Sequence, residues 1–238
     1  MPEGMKPTDK VQLRITNVSR DVHSGDSFAT RFAGKLSQPD TWHPVLRFFF
    51  YPRAYGFSQS LLFRIAVWIV FAIFTIAMFV KGPDAWIVNF LHSLNLGVHE
   101  FGHPLFGLFG GHMLMSLGGS LFQVIMPLVF CLALWIKPRD LFGASIGLWW
   151  AFENLMDWVP YIADALVMRL QLTSGGTGAE MEYGFHDWNY LLSEWGVLVK
   201  CESIAATVQT VALVGATISM LWGAWSLFYY IRYQRRRG

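Results

Sequence analysis

Five long apolar stretches constrain the fold of this chain more than any other feature of its sequence. Each is long enough to cross the hydrocarbon core of a bilayer, which takes about 20 residues of α-helix. A backbone inside a bilayer must satisfy its own hydrogen bonds, so only helices and closed barrels span it. The composition agrees, with 54% hydrophobic and 14% charged residues and a mean hydropathy of +0.38. The sequence therefore predicts an all-α polytopic membrane protein with about five transmembrane helices, over residues 61–80, 85–109, 116–136, 141–168 and 207–230.

The regions that flank and begin this membrane core have their own signals. We predict an N-terminal arm with an interfacial segment over residues 1–60, the transmembrane core over 61–232 and a basic tail over 233–238. Residues 11–18 alternate in polarity and predict one strand. Residues 42–55 mix aromatic side chains with arginines and prolines, which suits the headgroup level. Arg64, near the start of the first span, is expected to snorkel to the interface.

The end of the last span predicts the orientation of the protein. An aromatic belt is followed there by the basic cluster RYQRRRG, which predicts a cytoplasmic C-terminus. We therefore expect a multi-pass protein of the cell (inner) membrane, with the lipid bilayer around it and its oligomeric state left open. The net charge of +2 is too small to indicate a nucleic-acid partner. Two cysteines provide neither a disulfide framework nor a thiolate zinc site.

The second apolar stretch contains an HExxH pattern, formed by His99, Glu100 and His103. On a helix the two histidines project from one face and can bind a single Zn²⁺, with Glu100 beside them as general base. An ionisable residue in such a run is costly and normally marks function. The alternative is a polar stripe, together with His92 and Asn95, that makes hydrogen bonds between helices without a metal.

The fourth apolar stretch carries a second polar stripe. At 100° per residue Glu153, Asn154, Asp157 and Asp164 fall on one face of a helix. Three carboxylates on one face cannot all contact lipid, so they are expected to line a polar interior, a water cavity or a cation. The third zinc ligand is thus expected to be an acid or an imidazole from the later part of the chain.

Two further elements allow either a structural or a functional interpretation. Gly118 and Gly119 in the third stretch permit close approach of backbone, either for helix packing or for holding a substrate. His186 and Asp187 follow a glycine-rich loop, where they form either a solvated pair or part of a site that the loop covers.

Residues 85–170 resemble the site-2 protease-like intramembrane zinc metallopeptidases, as a divergent bacterial member. HEFGH matches the family's HExxH helix, and NLMDWVPYIADA resembles its Asn-x-x-Pro…Leu-Asp-Gly motif, with a longer spacing and an alanine in place of the glycine. The resemblance implies one Zn²⁺ per chain, held by His99, His103 and Asp164. His186 is the alternative third ligand, because imidazole is a familiar zinc ligand and its loop can fold back over a membrane site.

The same resemblance implies the activity and the supporting residues. The protein is expected to be a zinc metalloendopeptidase that hydrolyses membrane-embedded or juxtamembrane polypeptides, with Glu100 as the catalytic base. Asn154 would bind the substrate backbone, and Gly118 and Gly119 would stand near the family's substrate element. Apart from the resemblance, Asp157 or Glu153 is expected to orient a ligand. Asp187 would fix the tautomer of His186 if that residue were the ligand.

Two other classes of protein fit the sequence. A non-proteolytic metal-binding membrane protein, such as a transporter or an assembly factor, would need the ligands but not a general base beside them. A structural subunit would need no metal. The presence of Glu100 beside the histidines therefore distinguishes a peptidase from a non-proteolytic metal-binding protein.

Overall fold

The computed structural model describes residues 43–51 and 60–234. The chain divides into two units, Met1–Phe49 and Phe50–Gly238. The predicted strand at residues 11–18 and most of the basic tail, 235–238, lie outside the described residues. Helix α1 (Pro44–Phe50) occupies part of the predicted interfacial segment, and none of its residues is buried.

Six helices follow in the second unit: α2 (Leu61–Lys81), α3 (Trp86–Gly107), α4 (Gly111–Ile136), α5 (Leu141–Asp164), α6 (Asp187–Glu194) and α7 (Cys201–Gln234). Short 3₁₀ turns lie at Gly82–Asp84, Gly178–Glu180 and Leu198–Lys200. Within residues 43–51 and 60–234 the extended pairing amounts to one isolated bridge, between Gln171 and Thr177. The all-α prediction is confirmed for this part of the chain.

Three helical segments are long and apolar enough to cross a membrane: Leu61–Asp84, Gly111–Ile136 and Leu198–Arg232. Helices α3 and α5, with 22 and 24 residues, have the length for a crossing. Their polar stripes lower their hydropathy, because α3 carries the histidines and α5 the buried acids. The structure therefore supports three of the five predicted spans, and the other two belong to the proposal below.

Helix α5 lies at the centre of the packing. It contacts α7 along its length and α4 on another side, while α3 packs against α4 and α2 against α7. Its Trp149, Met156 and Ile162 are buried in the core together with Ala212 and Ala216 of α7. Small residues on α7 let the two helices approach closely, which is a common way to pack helices in lipid.

Helices α3 and α4 are in very close contact where the HExxH pattern lies. A side chain at Gly102 would overlap the backbone of Gly118 and Gly119, and one at Gly118 would overlap Phe106. The sequence left two roles open for Gly118 and Gly119. The structure shows one of them, the close packing of two helices. The consequence is that one face of α3, with both histidines, is pressed against α4.

Arg64 is buried inside the protein, with 2% of its surface exposed, and does not extend outward as expected. Its guanidinium donates two hydrogen bonds to the carboxylate of Asp140, at 2.9 and 3.1 Å. Asp140 also caps α5 by accepting the backbone N–H of Gly143. This ion pair joins the start of α2 to the start of α5, since a bidentate pair fixes both distance and orientation.

Candidate metal centre

The side chains of His99 and His103 lie next to each other on α3, with ring centroids 4.8 Å apart. The Oδ2 atom of Asp187, at the start of α6, is 3.4 Å from Nε2 of His99 and 3.4 Å from Nε2 of His103. One ligand atom from each of these residues lies within 4.8 Å of the others. In the described part of the chain, this is the group of His, Cys, Asp and Glu side chains that could hold a metal ion.

Hydrogen bonds on the far side of each imidazole define which ring nitrogen carries the proton. His103 Nδ1 lies 3.0 Å from the carbonyl oxygen of Met115, and because a carbonyl only accepts, Nδ1 must donate. His99 Nδ1 lies 3.2 Å from the amide oxygen of Gln123, with the same result. In a neutral ring, each Nε2 then carries its lone pair 3.4 Å from the carboxylate of Asp187.

In that state three atoms with free lone pairs face one another: Nε2 of His99, Nε2 of His103 and Oδ2 of Asp187. A cation at their centre satisfies all three, and imidazoles held from behind by an acceptor are typical of metal ligands. A tetrahedral zinc with ligands at about 2.0–2.1 Å has ligand-to-ligand edges of about 3.4 Å. The Nε2 to Oδ2 distances of 3.4 Å match this edge. The residues present therefore fit a small divalent cation.

The position of Asp187 depends on its neighbour His186. His186 is the N-cap of α6, and its Nδ1 accepts the backbone N–H of Asn189 at 3.1 Å. The Asn189 side chain in turn donates to the carbonyl of Ala165 at 2.8 Å, which ties α6 to the end of α5. Burial lowers the pKa of His186, and the carboxylates of Asp164 and Asp187 only partly oppose this. Because His186 caps the helix that begins at Asp187, it helps to fix the position of that residue.

Asp164 lies elsewhere and shapes the loop after α5. Its two oxygens accept the backbone N–H groups of Arg169, at 2.9 Å, and Leu170, at 2.8 Å. Its Oδ2 is 3.6 Å from Nε2 of His186, which is beyond hydrogen-bonding distance. The structure therefore brings neither Asp164 nor His186 to the histidine pair, in contrast to the predicted third ligand. The carboxylate that it does bring there is that of Asp187.

The polar stripe of α5 faces the polar stripe of α3. Asp157 accepts a hydrogen bond from Gln123 Nε2 at 2.6 Å and contacts His92 Nδ1 at 2.9 Å. Glu153 is fully buried and accepts from the amide of Asn95 at 3.0 Å. Glu153 and Asp157 of the stripe therefore face the protein interior, as their charge requires.

Asn154 does not take part in these contacts between α3 and α5. It is fully buried, and its amide nitrogen donates to the carbonyl of Trp150 on its own helix at 3.0 Å. It is also not among the residues that line the cavity described next. Its contact with a substrate backbone therefore stays a prediction, from a position that does not line this cavity.

A cavity of about 810 Å³ opens over the three ligand atoms. Glu100 contributes to its wall beside His99, and the loop that leads into α6 covers one side. Trp158, Tyr161 and Trp188 add aromatic surface. A volume in this range accommodates a ligand the size of a short peptide segment.

Gly119 of α4 lies directly against the imidazole rings of His99 and His103. A methyl group at this position would lie 2.6 Å from Nε2 of His103 and 2.8 Å from Nε2 of His99. The backbone of α4 therefore reaches the ligand atoms because residue 119 has no side chain.

The sequence places Gln123 on one helix face with Ser116 and Ser120, which line the same cavity, and leaves open whether that face packs helices or holds a substrate backbone. A buried amide on that face is expensive without partners. What the pattern does not give is the identity of those partners.

No protein-family model matches the chain, and neither a curated protein nor a solved structure is significantly similar to it. The fold and the site by themselves define an all-α protein with apolar helices long enough for a membrane and with a cluster of side chains that could hold a metal ion.

Proposed function

We propose that this protein is a zinc-dependent intramembrane endopeptidase. The observation that carries the proposal is the convergence of His99 Nε2, His103 Nε2 and Asp187 Oδ2 beside Glu100, in a cavity between apolar helices. The sequence pattern around HEFGH supports it independently.

The donor set supports a catalytic rather than a structural metal site. Two imidazoles and one carboxylate are the ligands of one well-known class of catalytic zinc site, which keeps a fourth position for water. When bound, zinc supplies a water of lowered pKa and polarises a carbonyl group. His99 and His103 would hold the ion through Nε2, because Nδ1 of each ring faces an acceptor, the amide oxygen of Gln123 for His99 and the carbonyl oxygen of Met115 for His103.

Glu100 is the residue that this chain contributes to proton transfer. Its carboxylate lines the same cavity, one position from His99. In the proposed reaction Glu100 accepts a proton from the attacking water and delivers it to the nitrogen of the leaving amine.

The substrate class follows from the surroundings of the cavity. Phe90, Leu94 and Phe101 of α3 are exposed, as are Val129 and Phe130 of α4. Such surfaces are suited to lipid, so the cavity would open towards a membrane-embedded or juxtamembrane polypeptide. We further propose that α3 and α5 cross the membrane, giving five spans in all, and that the C-terminus is cytoplasmic.

The same ligands also suit a different metal chemistry. Two histidines and one carboxylate hold iron in many oxygenases. Glu100 favours hydrolysis, because oxygen chemistry at iron has no need for a general base beside a ligand.

One experiment tests the proposal directly. The full chain, purified in detergent, is analysed for bound metals and then incubated with a membrane-tethered polypeptide, alongside Glu100→Gln. About one zinc per chain, and cleavage that requires Glu100, support a peptidase. Zinc without cleavage would indicate a non-proteolytic metal-binding membrane protein, and iron in place of zinc would overturn the proposed chemistry.

A further inference from the structure

A chain of hydrogen bonds connects one metal-site histidine to a carboxylate on a different helix. Gln123 of α4 is buried between His99 of α3 and Asp157 of α5. Its amide nitrogen donates to Asp157 Oδ2 at 2.6 Å, and its amide oxygen lies 3.2 Å from His99 Nδ1. His99, Gln123 and Asp157 therefore form a hydrogen-bonded relay that joins three helices behind the proposed ligand atom of His99.

The direction of this relay is determined at the Asp157 end. A carboxylate accepts hydrogen bonds at both oxygens, and here Oδ1 is in contact with His92 Nδ1 while Oδ2 faces Gln123. The amide of Gln123 must therefore present its nitrogen to Asp157. Because an amide has one donor end and one acceptor end, its oxygen then faces His99.

We infer that Asp157, acting through Gln123, selects the tautomer in which His99 carries its proton on Nδ1 and offers Nε2 as a ligand. This inference rests on the proposed metal site. If Gln123 were reversed, its NH₂ group would face Nδ1 of His99. The ring proton would then sit on Nε2, where it would block metal binding. Asp157 prevents this because the reversed amide would place an oxygen against a carboxylate.

The two histidines of the site are held in different ways. His103 donates to the backbone carbonyl of Met115, an acceptor that no side-chain substitution can reverse. His99 depends on side chains from two other helices. Of the two ligand histidines, a substitution at Asp157 therefore acts on His99 and not on His103. Gln123 and Asp157 are accordingly positioning residues rather than catalytic ones.

The amide of residue 123 and the carboxylate of residue 157 can be exchanged without changing the total charge of the relay. Asp157→Asn leaves the direction of Gln123 undetermined, because an asparagine can either donate or accept. Adding Gln123→Glu restores one direction: the new carboxylate accepts from His99, and the amide of residue 157 donates to it. The double variant exchanges the two side-chain types and should recover the tautomer that the single variant loses.

The test uses the full chain in detergent and two measurements. Zinc affinity is measured by competition with a chelator, and the His99 tautomer by nitrogen-15 spectra of the metal-free protein. We expect Asp157→Asn to weaken zinc binding by on the order of tenfold and to populate both tautomers. The Gln123→Glu/Asp157→Asn variant should return both readouts towards wild type. Glu153→Gln is the matched control, since it removes a buried acid from α5 that bonds Asn95 rather than Gln123.

Two results would overturn the inference: an unchanged tautomer and affinity in Asp157→Asn, or a double variant no better than the single one. If the wild type binds no zinc, the proposed function fails, and the tautomer spectra of the metal-free protein still decide the relay on their own.

Discussion

The carboxylate of Asp187 lies 3.4 Å from Nε2 of His103, although α4, α5 and a long loop separate the two residues in the chain. Asp187 is the first residue of α6, and His103 belongs to α3. A metal bound between them would join the loop region to the helix bundle. The ligand set is thus expected to depend on the fold of that loop as much as on the HExxH helix.

Removal of a proposed ligand should release the metal. We expect His99→Ala, His103→Ala and Asp187→Ala each to abolish stoichiometric zinc, because a site with three protein ligands cannot spare one. Asp164→Asn is the comparison, since the asparagine oxygen can still accept a backbone N–H of the loop, and it should keep its zinc. Metal analysis of the purified variants checks this. Zinc retained in Asp187→Ala and lost in Asp164→Asn would return the third ligand to Asp164.

Glu100 should be needed for chemistry and not for metal binding. Glu100→Gln keeps the shape of the side chain and removes the proton acceptor, so hydrolysis should fall by about a hundredfold or more. Zinc content should stay at the wild-type level. The measurement is the cleavage rate of a membrane-tethered polypeptide, with the metal content determined on the same sample. A glutamine variant that cleaves at the wild-type rate would exclude this residue as the base.

Gly119 gives a prediction about space beside the ligands. Gly119→Ala would place a methyl group 2.6 Å from Nε2 of His103, so the rings must move and zinc affinity should drop. Gly97→Ala serves as the control, because an added methyl there meets nothing within 4 Å. Chelator competition compares the two variants. Equal affinities would show that α4 does not hold the ligand atoms in place.

The orientation in the membrane can be tested independently of the metal. We expect a reporter fused after Gly238 to be active in the cytoplasm, because the last span ends in aromatic residues and a basic cluster. Fusions in the loop between α5 and α6 would then determine on which side the cavity opens. Activity of the C-terminal reporter only outside the cytoplasm would reverse the whole topology.

Local sequence patterns predicted the helices and the histidine face well, and distant contacts poorly. The i, i+4 spacing places His99 and His103 together whatever the rest of the chain does. Whether Asp164 or Asp187 reaches them depends on how the loop after α5 folds back. That fold relies on backbone groups at Arg169 and Leu170 and on a histidine cap, which leave no periodic signal.

Arg64 illustrates the same limit at the other end of the core. A basic residue near the start of an apolar helix predicts snorkelling, because periodicity contains no information about partners. The buried pair with Asp140 exists only because α5 begins beside α2. Gln123 is similar, since its importance comes from standing between side chains of two other helices.

The location of Asp187 on α6 has a consequence for biosynthesis. Chains are made from the N-terminus, so in the proposed topology α3 with its two histidines would enter the membrane well before residue 187 leaves the ribosome. Until then the histidine pair lacks the carboxylate of Asp187, and the loop that lines the cavity has not formed. A nascent chain would therefore pass through the insertion machinery before its three candidate metal ligands come together.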